Sequence, residues 1–151
     1  MDIIKASFED LSEILDLQKL AYLSEAKLHN NYSIQPLTQT LEELQSEFIK
    51  YKEGIILKLI DKDNKIIGSV RAHEKNDRVY IGKLFVHPDN QGKGYGTNLL
   101  KAIETFFQNK TFELFTSGKS ERNLYLYKKL GYKECKRENI SGNMEMIYLE
   151  K

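Results

Sequence analysis

The sequence predicts an α+β domain with a mixed, mostly antiparallel sheet of about seven strands and about four helices. Apolar residues alternate with polar ones in several short runs, which is typical of strands, and recur at helical spacing in others. Polar turn clusters separate three consecutive strand-like runs between residues 55 and 86, which predicts an antiparallel meander. A helix then joins the last of these runs to a further strand, and this connection predicts a parallel pair.

The beginning of the chain is predicted to form a short strand over 2–6 and an amphipathic helix. Ser7 suits the N-cap of that helix, with Asp10 as its capping-box partner. Leu20 and Leu23 fall outside the apolar arc of the helix and are expected on the surface. The residues within the arc are Leu11, Ile14, Leu15, Leu17, Ala21 and Tyr22.

A polar stretch and a second helix follow. Residues 25–39 predict an irregular connection with room for one short helical piece. Thr40 and Glu43 form a capping box in front of the second helix. This helix is expected to run to about Glu53 and to stop at Gly54.

The meander consists of strands over 55–60, 66–72 and 79–86. A helix after the third strand is expected to end at about Asn109. The next strand, over 111–116, should lie parallel to 79–86, because a helix separates the two.

The C-terminal part is predicted to form a helix and a hairpin. Ser120 is expected to cap the helix, which ends near Leu130 with Gly131 at the C′ position. Strands over 132–137 and 144–149 then pair around a turn made by Ile140, Ser141, Gly142 and Asn143.

Length and composition bound the class of protein. The chain has 151 residues, 40% of them hydrophobic, which suits one domain over 1–151. Its formal charge of +1 argues against a nucleic-acid-binding protein, and no stretch is long and apolar enough for a membrane helix. The single cysteine and three scattered histidines predict no metal site. The start of the chain lacks a signal-peptide pattern, so we expect a cytoplasmic protein.

The turn from Gln91 to Gly96 is the most informative stretch. It lies between a predicted strand and a helix that carries Leu99, Leu100 and Ile103 on one face. Backbone N–H groups at such a helix start have no intrahelical partner, and the helix dipole adds partial positive charge. The turn therefore predicts a phosphate site, with a simple capped loop as the alternative. Its glycines match neither the Walker pattern nor the dinucleotide fingerprint.

Two motifs together resemble the GNAT superfamily of acyl-CoA N-acyltransferases. The first is Gln91-x-x-Gly94-x-Gly96 between a strand and a helix, and the second runs from Leu126-Tyr127 to Gly131-Tyr132. The element order β-α-α-β-β-β-α-β-α-β-β also matches, so the resemblance covers essentially the whole chain. It implies an enzyme that transfers an acetyl group from acetyl-CoA to a primary amine of a small molecule or peptide, without a metal.

The resemblance also implies a cofactor site. Acetyl-CoA would lie where strands 79–86 and 111–116 splay apart, with its pantetheine arm along Leu84, Phe85 and Val86. The family often has an asparagine where this chain has Ser120, and Asn123 lies one turn further along. The pyrophosphate would lie against the turn residues Gln91, Gly92, Lys93, Gly94, Tyr95, Gly96 and Thr97.

For catalysis, the resemblance implies that Tyr127 is the general acid that protonates the leaving thiolate. The backbone N–H near Val86 would polarise the thioester carbonyl. Family members often carry a glutamate as the general base at the position of Tyr80, which is a poor base at neutral pH. The base therefore stays open between a water chain, an amine that arrives neutral, and the side chains of His73, Glu74, Glu25 and His29.

The acceptor is expected over residues 20–39, where polar side chains favour a polar amine. Homodimers are common in the family, although no dimer interface stands out in this sequence. Two rival interpretations remain: a GNAT-fold acyl-CoA sensor without turnover, which the missing glutamate and asparagine motivate, and a nucleotide-phosphate binder of another fold.

Overall fold

The computed structural model describes residues 1–51, 54–142 and 144–151, and it confirms the α+β class with one seven-stranded sheet. The strands are β1 (Asp2–Lys5), β2 (Ile55–Ile60), β3 (Ile66–Lys75), β4 (Arg78–Val86), β5 (Thr111–Ser117), β6 (Lys133–Ser141) and β7 (Met144–Glu150). The helices are α1 (Leu11–Ala21), α2 (Leu23–His29), α3 (Gln35–Thr38), α4 (Leu41–Lys50), α5 (Tyr95–Glu104) and α6 (Glu121–Lys129). None of these helices has the length and apolarity needed to cross a bilayer.

The sheet has the order β1-β2-β3-β4-β5-β7-β6. The predicted meander β2-β3-β4 is antiparallel, and β4 pairs with β5 in parallel, as expected from the intervening helix. The C-terminal hairpin β6-β7 joins the sheet through β7. The parallel pair therefore lies between two antiparallel units.

Helices cover the two faces of the sheet. Leu99, Leu100 and Ile103 of α5 are fully buried in the main core, together with the inward side chains of β2, β3 and β4. Ile14 and Leu17 of α1 pack on the opposite side, in a second cluster that contains Phe85. The predicted apolar arc of α1 is confirmed, because its residues from Leu11 to Ala21 are buried. Leu20 and Leu23, which fall outside the arc, are exposed as expected.

A β-bulge in β4 separates this strand from β5. Ser69 and Arg71 of β3, which are two residues apart, face Phe85 and Gly82, which are three apart. Lys83 lies in this extra length of β4 and has a left-handed backbone, with φ of 49°. Bulges bend and twist the strand that carries them. The β4–β5 pairing covers only Arg78–Tyr80, so the two strands diverge beyond that point.

Residues 25–39 contain more helix than predicted. The stretch contains most of α2, which begins at Leu23, and all of α3, instead of one short piece. Asn30 ends α2 in the left-handed conformation that asparagine tolerates, and Pro36 lies in the first turn of α3, where its missing N–H does no harm.

Other element ends also differ from the predictions. Helix α5 ends at Glu104 instead of about Asn109, because the Thr105 hydroxyl donates to the Ala102 carbonyl and the following bonds tighten to i→i−3. Strand β6 begins after Tyr132 and extends to Ser141. The predicted end of the second helix at Glu53, and Asn143 of the last turn, lie outside the described residues.

The end of α6 fixes the position of Tyr127. Gly131 has φ of 98°, and the backbone N–H of Tyr132 donates to the Tyr127 carbonyl at 3.0 Å, while that of Gly131 donates to Lys128. This is a Schellman motif, which requires the left-handed backbone that glycine adopts freely. The buried Tyr132 also donates its hydroxyl to Glu104 of α5 at 2.6 Å.

We expect Gly131→Ala to lower the free energy of unfolding by about 1–2 kcal/mol, because alanine resists the left-handed backbone. The melting temperature should fall by about 3–6 °C in calorimetry. Gly82→Ala is the matched control, since a Cβ there meets no atom within 4 Å. Equal melting temperatures for the two variants would contradict this account of the helix end.

Candidate active site

The divergence of β4 and β5 opens a cleft of about 1190 Å³. Helix α2 lies on one side of it, and the glycine turn and α6 lie on the others. Of the predicted site residues, Lys93 is exposed and does not line the cleft. The others all line it: Leu84, Phe85, Val86, Gln91, Gly92, Gly94, Tyr95, Gly96, Thr97, Ser120, Asn123 and Tyr127.

The glycine turn presents bare backbone to this cleft. Gly92 and Gly94 have φ of 77° and 84°, and a Cβ on either would meet no atom within 4 Å. Gly94 precedes α5 without a side-chain cap, and the first intrahelical bond of α5 runs from Asn98 to the Gly94 carbonyl. The N–H groups of the first helical turn are therefore free of intrahelical partners, which suits an anion.

Gln91 ties the turn to its neighbours. Its Nε2 donates to the Val86 carbonyl at 3.0 Å, and its Oε1 accepts from Arg122 of α6. One side chain thus connects the end of β4, the glycine turn and α6. The position of the turn relative to β4 and α6 therefore depends on Gln91.

Tyr127 is 6% exposed at the floor of the cleft. Burial raises the pKa of its hydroxyl well above the ordinary value, and Tyr22 and Glu25 raise it further. The hydroxyl therefore stays protonated at neutral pH and is available as a donor. Tyr125, on the same helix, is 70% exposed.

Ser120 and Asn123 both have protein partners. The Ser120 hydroxyl donates to Glu25 Oε1 at 2.9 Å, across 95 residues of chain. Ser120 occupies the N-cap position of α6 as predicted, but its hydroxyl is turned towards the carboxylate of α2 and makes no capping hydrogen bond. Asn123 Nδ2 donates to Thr116 Oγ1 at 3.2 Å.

The four side chains considered as general bases lie in different surroundings. Glu25 and His29 face each other on α2, with 3.8 Å between Glu25 Oε2 and His29 Nε2. His73 stacks between Tyr51 and Tyr80, and burial lowers its pKa. Glu74 does not line the cleft and pairs with Lys110 at 3.3 Å.

A buried polar network joins α1, α3 and α4 to the sheet. Gln18 of α1 is fully buried and accepts from Arg71 of β3. Its Nε2 donates to the Pro36 carbonyl and to Gln39 Oε1, both at 2.9 Å. Gln39 Nε2 then donates to Glu47 Oε2 of α4 at 3.0 Å.

The sequence reading missed Gln18, Arg71 and Lys83. Gln18 had a signal, because a polar residue at its place within the apolar arc of α1 indicates a buried partner. Arg71 is 6% exposed and lies between the apolar residues Val70 and Ala72 of β3. Lys83 had no signal, since the bulge that turns it into the cleft cannot be read from alternation.

A meander, a bulged strand that leaves its parallel neighbour, and a glycine turn before a helix agree with the resemblance of the sequence to the GNAT superfamily. Comparison with family profiles agrees: the acetyltransferase (GNAT) family matches residues 11–132. The chain belongs to this family. A UPF0039 protein from Schizosaccharomyces pombe is 34% identical over 85 residues, which are 52% of this chain and 55% of that protein. The chain thus spans about half the length of the curated relative it matches.

Solved structures share the fold at low sequence identity. The PaiA N-acetyltransferase of Thermoplasma acidophilum, in complex with coenzyme A, has a TM-score of 0.77 at 19% identity, with 97% of this chain and 96% of that chain covered. A phosphinothricin acetyltransferase from Sinorhizobium meliloti, in complex with acetyl-CoA, has a TM-score of 0.78 at 16%, with 99% and 86% covered. The ribosomal-protein-alanine N-acetyltransferase of Brucella melitensis has a TM-score of 0.78 at 16%, with 100% and 99% covered.

We expect Gln18→Ala to lower the free energy of unfolding by about 2–4 kcal/mol, because it leaves several buried polar groups without partners. Denaturant titration measures this change. Gln35→Ala, at an exposed position on α3, is the matched control and should stay within about 0.5 kcal/mol. A Gln18 variant as stable as the control would contradict the network.

Proposed function

We propose that this protein is an acetyl-CoA-dependent N-acetyltransferase that acetylates a primary amine by direct attack in a ternary complex. The observation that carries the proposal is the divergence of β4 from β5 beside a glycine turn. Phe85 and Val86 pair with β3 on one side, while β4–β5 pairing stops at Tyr80. One edge of Leu84–Val86 therefore faces the cleft, where an extended pantetheine arm could add as a strand does.

The proposed cofactor site continues from this edge into the glycine turn. The pyrophosphate would accept hydrogen bonds from backbone N–H groups of Gly92 through Thr97. Gln91 would keep the turn in place through its contacts with Val86 and Arg122. Ser120 and Asn123 line the cleft beside it, and either could turn towards the cofactor by exchanging its present partner.

In the proposed reaction, the neutral amine attacks the thioester carbonyl carbon and the carbon–sulfur bond breaks. The backbone N–H near Val86 would polarise the carbonyl oxygen. Tyr127 would donate its hydroxyl proton to the departing thiolate, whose thiol has a pKa of about 8.5. The proton that the amine loses balances the proton that sulfur gains. Glu25 is our candidate to receive the amine proton, because it lines the cleft and its charge acts on Tyr127.

The acceptor is a small molecule or a peptide, and the structural neighbours include enzymes for both. Their names specify phosphinothricin in one case and a ribosomal-protein alanine in another. The same fold thus accommodates very different amines. We propose that the cytoplasm is the place of action, which agrees with the exposed free thiol of Cys135.

A second candidate function is an acyl-CoA sensor on the same fold. Tyr80, at the position where a glutamate base is expected, stacks on His73 and offers no carboxylate. A sensor would bind CoA and release no thiol in the presence of any amine.

We expect CoA and acetyl-CoA to raise the melting temperature, whereas ATP should not. At a ligand concentration of a hundred times Kd, the free energy of unfolding should increase by about 2.7 kcal/mol. Gly94→Asp should abolish this shift, because it strains a left-handed backbone and places a like charge beside the phosphates. Gly142→Asp controls for backbone strain, because Gly142 also has a left-handed backbone but does not line the cleft. An undiminished CoA shift in Gly94→Asp, or a shift with ATP alone, would refute the cofactor site.

We expect Tyr127→Phe to lower kcat about 10²–10³-fold, because the leaving thiolate loses its proton donor. The KM for acetyl-CoA should change by less than about threefold, as measured by thiol release. Tyr125→Phe on the same helix is the matched control and should retain full activity. An unchanged kcat would remove Tyr127 as the acid, and an unchanged kcat in Glu25→Gln would remove Glu25 as the base.

A further inference from the structure

Two cationic side chains line the β3–β4 wall of the cleft. Arg71 lies on β3 and Lys83 lies in the β4 bulge, and both line the cleft. Neither belongs to the glycine turn, and neither has a role in the acyl transfer described above. Their presence therefore calls for a ligand group other than the pyrophosphate.

Arg71 is incompletely satisfied. It is 6% exposed, and among the described residues its Nε and Nη1 have no hydrogen-bond partner. The closest carboxylate contact of Nη1 is Glu47 Oε1 at 3.7 Å, which is too long for a hydrogen bond. Glu47 also accepts from Gln39, so its charge is shared. A buried guanidinium with free donors is costly unless an anion completes it.

Lys83 adds a second charge to the same place. Burial and the charge of Arg71 both lower the pKa of its amine, Glu47 partly offsets them, and together they bring the pKa to about 8. The wall therefore holds two cations against one carboxylate. A bound anion would relieve both the desolvation and the repulsion.

The other wall offers the complementary chemistry. Glu25, Ser120 and Tyr127 lie there, where the proposed mechanism places the amine and the thioester. Tyr22 also lines the cleft, where burial raises its pKa to about 12, Arg71 lowers it and Glu25 raises it. A molecule that spans the cleft would thus meet a carboxylate at one end and two cations at the other.

We propose that the acceptor is an amine that carries an anionic group, a carboxylate or a phosphate, and that Arg71 and Lys83 bind this group. The inference rests on the proposed function and names its substrate class. Polyamines, which carry only positive charge, are excluded as preferred acceptors because the cations would repel them.

Matched acceptor pairs test the charge alone. Thiol release at saturating acetyl-CoA is measured with L-amino acids against their carboxamides, with O-phosphoethanolamine against ethanolamine, and with spermidine. The anionic member of at least one pair should have a kcat/KM at least about tenfold higher. The pairs separate a carboxylate from a phosphate. A preference for the carboxamides, ethanolamine or spermidine would overturn the inference.

Variants assign the preference to the two cations. Lys83→Met should raise the KM for the preferred anionic acceptor about tenfold or more, with kcat within about threefold and the uncharged partner unaffected. Lys83→Arg should restore most of the preference, and Lys75→Met, at an exposed position outside the cleft, should have no effect. Arg71→Met should act in the same direction, but it also breaks the Gln18 bond, so Lys83 carries the test. An unchanged KM in Lys83→Met would overturn the assignment.

A binding measurement separates this inference from the proposed function. With CoA present, the anionic compounds should raise the melting temperature of the wild-type protein and not that of Lys83→Met. Stabilisation without thiol release from any amine would uphold the anion site and refute the acetyltransferase. Thiol release that ignores the anionic group would uphold the enzyme and refute the anion site. Neither stabilisation nor release with any compound would refute both.

Discussion

The separation of β4 from β5 is the constraint on which the rest of the structure depends. One extra length of strand at Lys83 bends β4 away after three paired residues, so the cleft is a direct result of backbone geometry. The same divergence exposes the edge of Leu84–Val86 and positions the glycine turn at its mouth. Gln91 then fixes the turn to the strand end and to α6, which brings Tyr127 to the same cavity.

The two sides of the cleft are held by different kinds of interaction. Apolar packing of α5 and the Schellman end of α6 secure the side on which the cofactor is proposed to bind. The other side depends on the buried network of Gln18, Gln39 and Arg71, which links the short helix α3, none of whose residues is buried, to α1 and β3. The members of such a network depend on one another, because the loss of one leaves the polar groups of the others buried without partners. This side of the cleft is thus sensitive to a single polar substitution within the network.

The sequence carried most of the fold because its strongly periodic segments were unambiguous. The meander, the parallel β4–β5 pair and the buried arc of α1 all followed from local patterns. Helices α2 and α3 could not be predicted in this way, because their largely polar sequences show no apolar periodicity and their stability depends on tertiary contacts. The hydroxyl of Ser120 was assigned as a cap because its true partner, Glu25, is distant in sequence. Arg71 and Lys83 were missed for a related reason: a bulge and a long-range network leave no local periodicity.

The burial of Lys83 at the bulge, beside the charge of Arg71, also links ligand binding to folding. The pKa of Lys83 is about 8 in the folded chain, below the value of about 10.4 expected when unfolded. Between these values the unfolded chain binds more protons, so the free energy of unfolding rises with pH across that window and is diminished below it. At neutral pH the buried charge of Lys83 therefore lowers the free energy of unfolding, and Lys83 is also the group proposed to bind the anion. Occupancy of that wall would add to the stability of the whole domain as well as fill a site.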